Sequence, residues 1–221
     1  MNRISNTIKN TLVSFRNFYR RLYRLRINKA LLNRDFTIIS NNCIAGIICH
    51  DLNVTFNTPT INLFFSNLSE FIKYVNNLSV YSNSDLVEKS NNDKEYPVGY
   101  LIHDLGNIEL HFMHYHSFEE AKNKWIERSK RINYENIYVV MELGIYTTQD
   151  LFDEFNNIVY KNKVAIINDL ISGNSFKMGI YDKGYKSGKL LEFKTPYSLK
   201  RYLDEFDYIS FLNTGDIKPR K

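Results

Sequence analysis

The sequence has little cysteine, proline and glycine. Its 221 residues include two cysteines, four prolines and nine glycines, and 43% of the residues are apolar. The two thiols, Cys43 and Cys49, have neither the number nor the spacing of a disulfide framework or a zinc site, so we expect both to be reduced. The scarcity of glycine and proline argues against fibrous and low-complexity classes. The composition therefore predicts one well-buried globular core.

Long apolar runs are also absent. No segment approaches the roughly 18 apolar residues that a membrane-spanning helix needs. The N-terminus is basic, but no apolar run followed by small residues comes after it, so it does not resemble a secretory signal. We therefore expect a cytoplasmic protein, and the basic N-terminus raises a peripheral position at the inner face of the membrane.

Several common catalytic motifs are missing. The sequence contains no GxGxxG, no Walker A motif, no GxSxG and no DxD. These absences argue against an ordinary dinucleotide enzyme, a P-loop NTPase and a serine hydrolase. No metal site is predicted, and the cofactor, if there is one, is unknown.

Acidic residues are absent from the first 34 positions. This segment holds nine Lys or Arg and no Asp or Glu, so the overall charge of +5 leaves −4 on the remaining residues. Its apolar residues recur at steps of three or four, as on one face of a helix. They are Ile4, Ile8, Leu12, Phe15, Tyr19, Leu22 and Leu25. We predict a basic amphipathic helix over residues 1–34, followed by a single α/β domain over residues 35–221.

Three roles remain open for this helix. It could bind an anionic membrane surface, where each Lys or Arg adds about 1 kcal/mol, or a partner protein. It could instead pack its apolar stripe on the body and leave its charges solvated. Nucleic acid is the least favoured partner, because the acidic body would repel phosphates beyond the helix.

The rest of the chain alternates between strand and helix patterns. Helices are expected where Thr58-Pro59 and Thr195-Pro196 offer N-terminal signals, and residues 82–96 read as a loop. Predicted strands are 35–40, 98–102, 108–114, 136–143, 163–168 and 208–212, with short ones near 176–181 and 190–193; predicted helices are 43–52, 60–76, 118–132, 147–160 and 197–206. This order predicts a three-layer α/β/α sandwich with a mixed, mostly parallel sheet that includes a hairpin at 98–114.

Polar residues follow the first predicted strand, where ligands bind in open α/β sheets. Ser40, Asn41 and Asn42 precede a helix, so they could bind a phosphate or carboxylate, or simply cap the helix. His50-Asp51 could pair as base and orienter, or form a polar helix end.

A second group of candidates surrounds the predicted hairpin and the helix after it. His111, His114 and His116 do not complete a metal site. His114 is the better candidate for a general base, the alternative being a histidine satisfied at a strand end. Trp125 and Arg128 share a helix face and could contact a sugar ring and an anionic group, or serve the core and the helix C-terminus.

Two segments carry a family resemblance. FTIISNNCIAGIICHDLNVTFNTPTINLFF (36–65) and YPVGYLIHDLGNIELHFMHYHSFEEAKNKWIERSKRIN (96–133) resemble a bacterial family known as domain of unknown function 1919. With the tail at 208–215, the resemblance covers most of residues 35–216. It implies a three-layer α/β fold and a surface-glycan context, since members are often labelled exopolysaccharide or capsule biosynthesis proteins. It implies no catalytic residues. The family-like positions are Ser40, Asn41, Asn42, Cys43, Thr58, Asn62, His114, Trp125, Arg128 and Asn133.

Three functions follow as expectations. The first is a transferase that acts on a nucleotide-activated or lipid-linked sugar at the membrane face, with the residues at 40–42, His114, Trp125 and Arg128 converging on one cleft. The second is a non-catalytic carbohydrate-binding or scaffolding protein of a polysaccharide assembly system. The third is nucleic-acid binding through residues 1–34.

Overall fold

The computed structural model describes residues 2–90, 93–144, 146–167, 171–177 and 189–220, with backbone only for residues 2–10. The helices are α1 (Asn2–Ala30), α2 (Ile44–Leu52), α3 (Leu68–Asn76), α4 (Leu78–Ser82), α5 (Phe118–Ser129), α6 (Gln149–Asn156) and α7 (Tyr208–Thr214). The strands are β1 (Thr37–Ser40), β2 (Phe64–Phe65), β3 (Asp85–Glu88), β4 (Val98–Ile102), β5 (Ile108–His111), β6 (Ile137–Gly144), β7 (Asn162–Ile167) and β8 (Ser175–Lys177). Short 3₁₀ turns cover Lys189–Leu191 and Tyr202–Glu205.

The described strands form two separate sheets. A parallel sheet has the order β1-β6-β7-β8, and an antiparallel sheet has the order β2-β5-β4-β3. The predicted α/β class, the parallel strands and the N-terminal helix are confirmed. The single mixed sheet is wrong, because the predicted hairpin (β4 and β5) pairs with β2 and β3 and with no strand of the parallel sheet. The three-layer arrangement remains a prediction.

Hydrophobic clusters lie on both faces of the parallel sheet. Ile39, Val139 and Met141 belong to the cluster that includes side chains of the antiparallel sheet and of α3, α5 and α6. Ile38 and Val140, one position away, belong to the cluster on the side of α1, α2 and α7. This alternation is the two-residue period of a strand covered on both faces. It explains why all eight positions of β6 are buried.

The predicted helix over 60–76 begins later than expected, at Leu68. Its N-cap is Asn67, whose side chain accepts hydrogen bonds from the backbone N–H groups of Ser69 and Glu70. Thr58 therefore caps no helix. The preceding residues are extended because Phe64 and Phe65 pair with β5, and this pairing outweighs the local Thr-Pro signal.

Other segments also differ from the sequence-based expectation. The predicted loop at 82–96 contains β3, which pairs along all four of its residues with β4. The predicted strand at 208–212 is α7, and the predicted helix at 197–206 is reduced to a 3₁₀ turn. The short strand near 176 is β8, while residues 178–181 of that prediction lie outside the described residues. The strand near 190 is a 3₁₀ turn, with Phe193 in an isolated bridge to Arg201.

Helix α1 packs on the body through a charged face. The Arg20 guanidinium is buried and contacts the carboxylates of Asp51, at 2.7 Å, and Asp204, at 2.6 Å. Further along the helix, Ile27 and the adjoining Leu31 are buried in the cluster beside the parallel sheet. Part of the predicted apolar stripe faces away from this contact, because Phe15, Leu22 and Leu25 are exposed. Tyr19, another member of the stripe, is half-buried and lines a cleft between α1 and the body. Within the described residues, no helix has the length and apolar character required to cross a bilayer.

Candidate functional site

A cleft of about 490 Å³ lies where β1 and β6 end at the edge of the parallel sheet. Its position matches the rule that ligands bind beyond the carboxyl ends of parallel strands. The residues around it come from β2, from β6, from the first turns of α3 and α6, and from the turns that follow β1, β2 and β6. They are Asn41, Asn42, Phe64, Phe65, Ser66, Asn67, Leu68, Ser69, Glu142, Tyr146 and Leu151.

Glu142 is the charged residue of this cleft. It lies near the end of β6, where every other residue of the strand is uncharged, and only 1% of its surface is exposed. The register between β6 and β7 shifts between Glu142 and Gly144, and Gly144 has a positive φ of 54°. Such irregularities redirect side chains at strand ends. Here the irregularity coincides with a carboxylate that lines a cavity.

The turn after β1 holds Glu142 in place. The side chain of Asn41 donates to the carbonyl oxygen of Glu142 at 3.0 Å and accepts from its backbone N–H at 2.9 Å. The side-chain amide of Asn42 donates to the Glu142 carboxylate. One asparagine therefore fixes the backbone of Glu142 and the next one orients its carboxylate. Because β1 and β6 are parallel neighbours, both groups lie at the same sheet edge.

The same turn starts α2. The hydroxyl of Ser40 accepts from the backbone N–H of Ala45 at 3.0 Å, and the Asn42 side-chain oxygen accepts from that of Ile44 at 3.1 Å. These bonds satisfy N–H groups that a helix start leaves free. Ser40 and Asn42 thus have the capping role that the sequence left open, and Asn42 contacts Glu142 as well. The start of α2 adds positive potential beside the carboxylate.

The opposite wall combines polar and aromatic groups. Asn67, at the start of α3, and Ser69 line the cleft beside the exposed ring of Tyr146. The Phe64 ring stacks on the buried His111 ring, with centroids 4.6 Å apart. Burial lowers the pKa of His111, although the hydrogen bond to Glu109 opposes that shift. Phe64 is therefore backed by a rigid aromatic contact.

Glu109 connects His111 to the surface of the antiparallel sheet. Its carboxylate contacts the Lys89 ammonium at 2.7 Å and the His111 Nε2 at 2.8 Å. Partial burial alone would raise the pKa of Glu109, but hydrogen bonds from Lys89, Tyr100 and His111 outweigh it and lower the pKa to about 2. Glu109 is ionised at neutral pH and fixes the orientation of His111 behind Phe64.

Thr58 and Asn62 lie outside the cleft, and Thr58 supports the turn after β1 through Thr60. The Thr58 hydroxyl is fully buried and lies 2.9 Å from the hydroxyl of Thr60, which accepts a long bond from the backbone N–H of Ser40. Asn62 is exposed and takes a left-handed conformation with φ of 61°. Neither residue is among those that line the cleft.

His114, Trp125 and Arg128 do not join the asparagines. His114 is exposed three residues after β5 ends, so its side chain follows no strand face. Trp125 lies in the core, tilted against Tyr74 at 5.9 Å, so its ring is unavailable to a sugar. Arg128 is buried and donates to the Tyr115 hydroxyl at 2.6 Å, which in turn donates to the Ile61 carbonyl oxygen. The expected convergence of all these residues on one cleft does not occur.

The remaining polar candidates are the two cysteines and the His50-Asp51 pair, and their surroundings indicate structural roles. Burial raises the pKa of Cys43 to about 11 and that of Cys49 to about 12, so both are thiols at neutral pH. Asp51 is buried against Arg20, while its neighbour His50 is exposed, so the two do not form a base and its orienter in a shared pocket. Among the described residues, no three His, Cys, Asp or Glu side chains group together as metal ligands would.

Sequence reasoning missed Glu142, Phe64 and Tyr146. A signal for Glu142 was present, since it is the sole charged residue in the apolar run NIYVVMEL at 136–143. A carboxylate near the end of a buried strand is costly unless its surroundings satisfy it. Phe64 and Tyr146 offered no comparable signal, because their place at the cleft depends on the pairing of β2 with β5 and on the turn after β6.

Comparison with known proteins gives two similarities. Residues 14–213 match the family described as domain of unknown function (DUF1919). An uncharacterized protein of Haemophilus influenzae is 34% identical over 191 residues, which cover 85% of this chain and 88% of that protein. The match begins inside α1, so the half of the helix that holds Arg20 and Ile27 is part of the matched region. The chain belongs to the DUF1919 family.

Proposed function

We propose that the cleft between β1, β6 and α3 binds a sugar-containing substrate, and that Glu142 acts there as a general base in a group-transfer reaction. The observation that supports this most directly is the position of Glu142. It is a buried carboxylate, oriented by the Asn42 amide, at the wall of a cleft of about 490 Å³. Pockets with a few precisely placed polar groups and apolar walls are typical of small-molecule sites.

The composition of the wall favours a polyhydroxylated ligand. Amide and hydroxyl groups of Asn67, Ser66 and Ser69 lie near the rings of Phe64 and Tyr146. Amides and hydroxyls both donate and accept hydrogen bonds, as sugar hydroxyls require. Aromatic rings provide flat apolar surfaces for the C–H faces of a sugar. The surface-polysaccharide context comes from the family resemblance, and it makes a nucleotide-activated or lipid-linked glycan precursor the preferred substrate.

In the proposed step, a hydroxyl of the acceptor sugar gives its proton to the Glu142 carboxylate. Its oxygen forms a bond to the transferred group, while the bond from that group to the donor's leaving group breaks and the leaving group keeps the electron pair. A positioned base contributes about 10²- to 10⁴-fold to such reactions. Asn42 and Asn41 would act as positioning residues, because they hold Glu142 rather than the substrate.

A thermal-unfolding screen against nucleotide sugars and sugar phosphates, with and without a divalent cation, tests binding. A ligand present at about 100 times its Kd stabilises the folded state by about 2.7 kcal/mol. For a chain of this size, that corresponds to a rise in Tm of about 5–10 °C. No stabilisation by any of these ligands would contradict a sugar-binding cleft.

The substitution Glu142→Gln separates catalysis from binding. Gln keeps the size of the side chain and an oxygen that can accept from Asn42, but it cannot take a proton at neutral pH. With a ligand found in the screen, we expect this variant to retain binding and lose transfer by at least about 100-fold. Transfer retained by the variant would contradict the role of Glu142 as the base. Ligand binding without transfer by the wild type would favour the alternative of a non-catalytic carbohydrate-binding or scaffolding protein.

The substitution His114→Ala provides the matched control. His114 is exposed and is not among the residues that line the cleft, so its loss is expected to leave both binding and transfer unchanged. If His114→Ala abolished transfer while Glu142→Gln did not, the chemistry would lie at His114 instead.

A further inference from the structure

Helix α1 exposes an apolar seam on the side opposite to its contact with the body. The described members of this seam are Phe15, Phe18, Leu22 and Leu25. Each is at least half exposed, and Phe18 is 58% exposed. At 3.6 residues per turn, these positions share one side of the helix, while Arg16, Arg20, Tyr23 and Ile27 lie on the other. The seam is therefore a second face of the helix, separate from the face that holds it in place.

The body-facing side of α1 is independently secured. Arg20 contacts two buried carboxylates, and the Arg16 guanidinium lies 3.9 Å above the Phe193 ring. Asn28 donates to the Leu52 carbonyl oxygen, and Asn213 donates to that of Ala30. Because these contacts fix the rotation of the helix, burial of the seam requires a partner other than the described part of the chain.

The charges beside the seam are all of one sign. Arg21, Arg26 and Lys29 are exposed around it, and residues 1–34 contain no Asp or Glu. Within the described part of the chain, no carboxylate lies within ion-pair distance of these three side chains. An apolar strip flanked by exposed cations is complementary to a partner whose apolar interior lies beneath a layer of negatively charged groups.

A second copy of the chain is a poorer match for this surface. Two such helices packed seam to seam would place Arg21 and Arg26 of each copy near those of the other, with no acidic residue in the segment to offset them. Like charges beside a helical interface disfavour the pairing. Large aromatic residues such as Phe15 and Phe18 are instead suited to the interfacial region of a membrane, as are long cationic side chains that reach up to the headgroups.

The basic surface continues from the helix onto the body. A cleft of about 570 Å³ beside α1 is lined by Arg26 together with Lys200, Lys218 and Arg220. Asp204 and Asp207 also line it. Asp204 pairs with the buried Arg20, Asp207 lies 3.5 Å from Arg220, and Lys218 lies 3.4 Å from Asp216, so Arg26 and Lys200 are the cations of the cleft without an ion pair among the described residues. The cleft therefore adds cations of the body to those of α1 on a neighbouring side of the helix.

We infer that α1 is a membrane-docking helix, which lies in the plane of an anionic leaflet with Phe15, Phe18, Leu22 and Leu25 inserted among the lipids. The Arg20 side of the helix holds the body above the surface. This inference does not depend on the chemistry proposed for the Glu142 cleft.

Vesicle flotation with the full-length protein tests the inference. We expect binding to vesicles of phosphatidylcholine mixed with phosphatidylglycerol, weak binding to phosphatidylcholine alone, and a loss of binding as salt is raised. Phe18→Gln combined with Leu22→Gln should weaken binding by at least about tenfold. Arg21→Gln combined with Arg26→Gln should weaken it by about 25-fold, because each cation near the leaflet contributes about fivefold.

Controls separate docking from folding. Leu105→Gln replaces an equally exposed leucine in the β4–β5 turn and should leave flotation unchanged. All variants should unfold at the wild-type temperature, since none alters a buried contact. Equal binding to neutral and anionic vesicles, or binding that survives the seam substitutions, overturns the inference. It is also overturned if sedimentation shows a dimer that dissociates when Phe18 and Leu22 are replaced.

Discussion

The buried arginine of α1 allows a quantitative test of how the N-terminal helix is held. Arg20 and Arg24 lie one turn apart on α1 and both contact the Asp51 carboxylate, Arg20 at 2.7 Å and Arg24 at 3.2 Å. They differ in burial, since 6% of the Arg20 side chain is exposed and 43% of the Arg24 side chain is. The two arginines therefore have the same charge, the same helix and the same partner, and they differ in how deeply they are buried.

We expect Arg20→Met to lower the free energy of unfolding by about 3 kcal/mol. Removal of one partner from a buried ion pair costs about 3–5 kcal/mol, because the remaining charge stays desolvated. The cost of Arg20→Met should fall at the lower end of this range, because Arg201 still contacts both Asp51 and Asp204. Arg24→Met should cost less than about 1 kcal/mol, as expected for a largely solvated pair.

Denaturant unfolding followed by fluorescence provides the assay. The chain has one tryptophan, Trp125, and it is buried in the core, so its emission reports the loss of the fold. A shift of the midpoint at constant slope gives the change in stability. Equal costs for the two substitutions would refute the argument that burial, rather than the number of ion pairs, determines their contribution. So would an Arg20→Met variant as stable as the wild type.

The same network predicts a pH dependence. Burial raises the pKa of Asp204, but Arg201 and Arg20 outweigh it and hold the pKa below the ordinary carboxyl range. A group with a lowered folded-state pKa contributes stability above its unfolded pKa of about 3.9, and that stability is lost as the pH falls below this value. We expect Arg20→Met to lose less stability than the wild type on acidification, because Asp204 then has a smaller shift to lose. A steeper loss in the variant would contradict this assignment.

Further predictions concern the two sheets and α2. Gly99→Ala should cost about 1–3 kcal/mol, because the new Cβ would lie 2.6 Å from the Phe118 ring and 2.9 Å from the Val87 carbonyl oxygen. Gly46→Ala should be neutral or stabilising by up to about 1 kcal/mol, because its nearest neighbour, Ile61, is at 3.5 Å and α2 gains a better helix former. Glu109→Gln should destabilise by no more than about 1 kcal/mol, since its partner Lys89 is about one-third exposed. That loss should disappear as the pH falls from about 4.3 towards 2, where the wild-type carboxylate is protonated. Thermal or denaturant unfolding measures each change, and a tolerated Gly99→Ala would contradict the packing of α5 on β4.

The sequence was informative where local signals and packing agree. Helix α5 begins after Ser117 as predicted, with the Ser117 hydroxyl accepting from the Glu120 N–H. Strands β6 and β7 lie close to their expected positions, because a continuous β-branched run fits a sheet covered on both faces. In both cases the information lies within the segment itself.

The errors arose where pairing decides between similar patterns. The segment 208–212 is apolar except for Ser210 and fits a strand or a buried helix equally well. Asp207, which accepts from the Ser210 N–H, and Gly215, with φ of 82°, are the helix start and stop signals that favour the helix. In contrast, no local signal indicates that Phe64 and Phe65 pair with β5, and this pairing delays α3 and separates the two sheets.

The candidate site was predictable in part. Turn chemistry identified Asn41 and Asn42, because polar residues between a strand and a helix commonly face the edge where ligands bind. Their partner Glu142 lies 100 or more positions away in the chain, and only the parallel pairing of β1 with β6 brings it to them. His114 was expected at the end of a strand over 108–114, but β5 ends at His111, so His114 lies in the turn beyond the strand.

The choice between the two faces of α1 shows why the buried charges matter for function. One side of the helix carries Tyr23 and Ile27 and the other carries Phe18 and Leu22, so apolar content alone does not determine which side packs on the body. If the helix were rotated by half a turn, it would still bury apolar residues against the body. It would also remove Arg20 from the buried carboxylates of Asp51 and Asp204, at the cost of about 3 kcal/mol expected when Arg201 alone contacts both. Because only one orientation brings Arg20 to both carboxylates, the ion pairs keep the apolar seam at the surface, as the membrane docking that we infer requires.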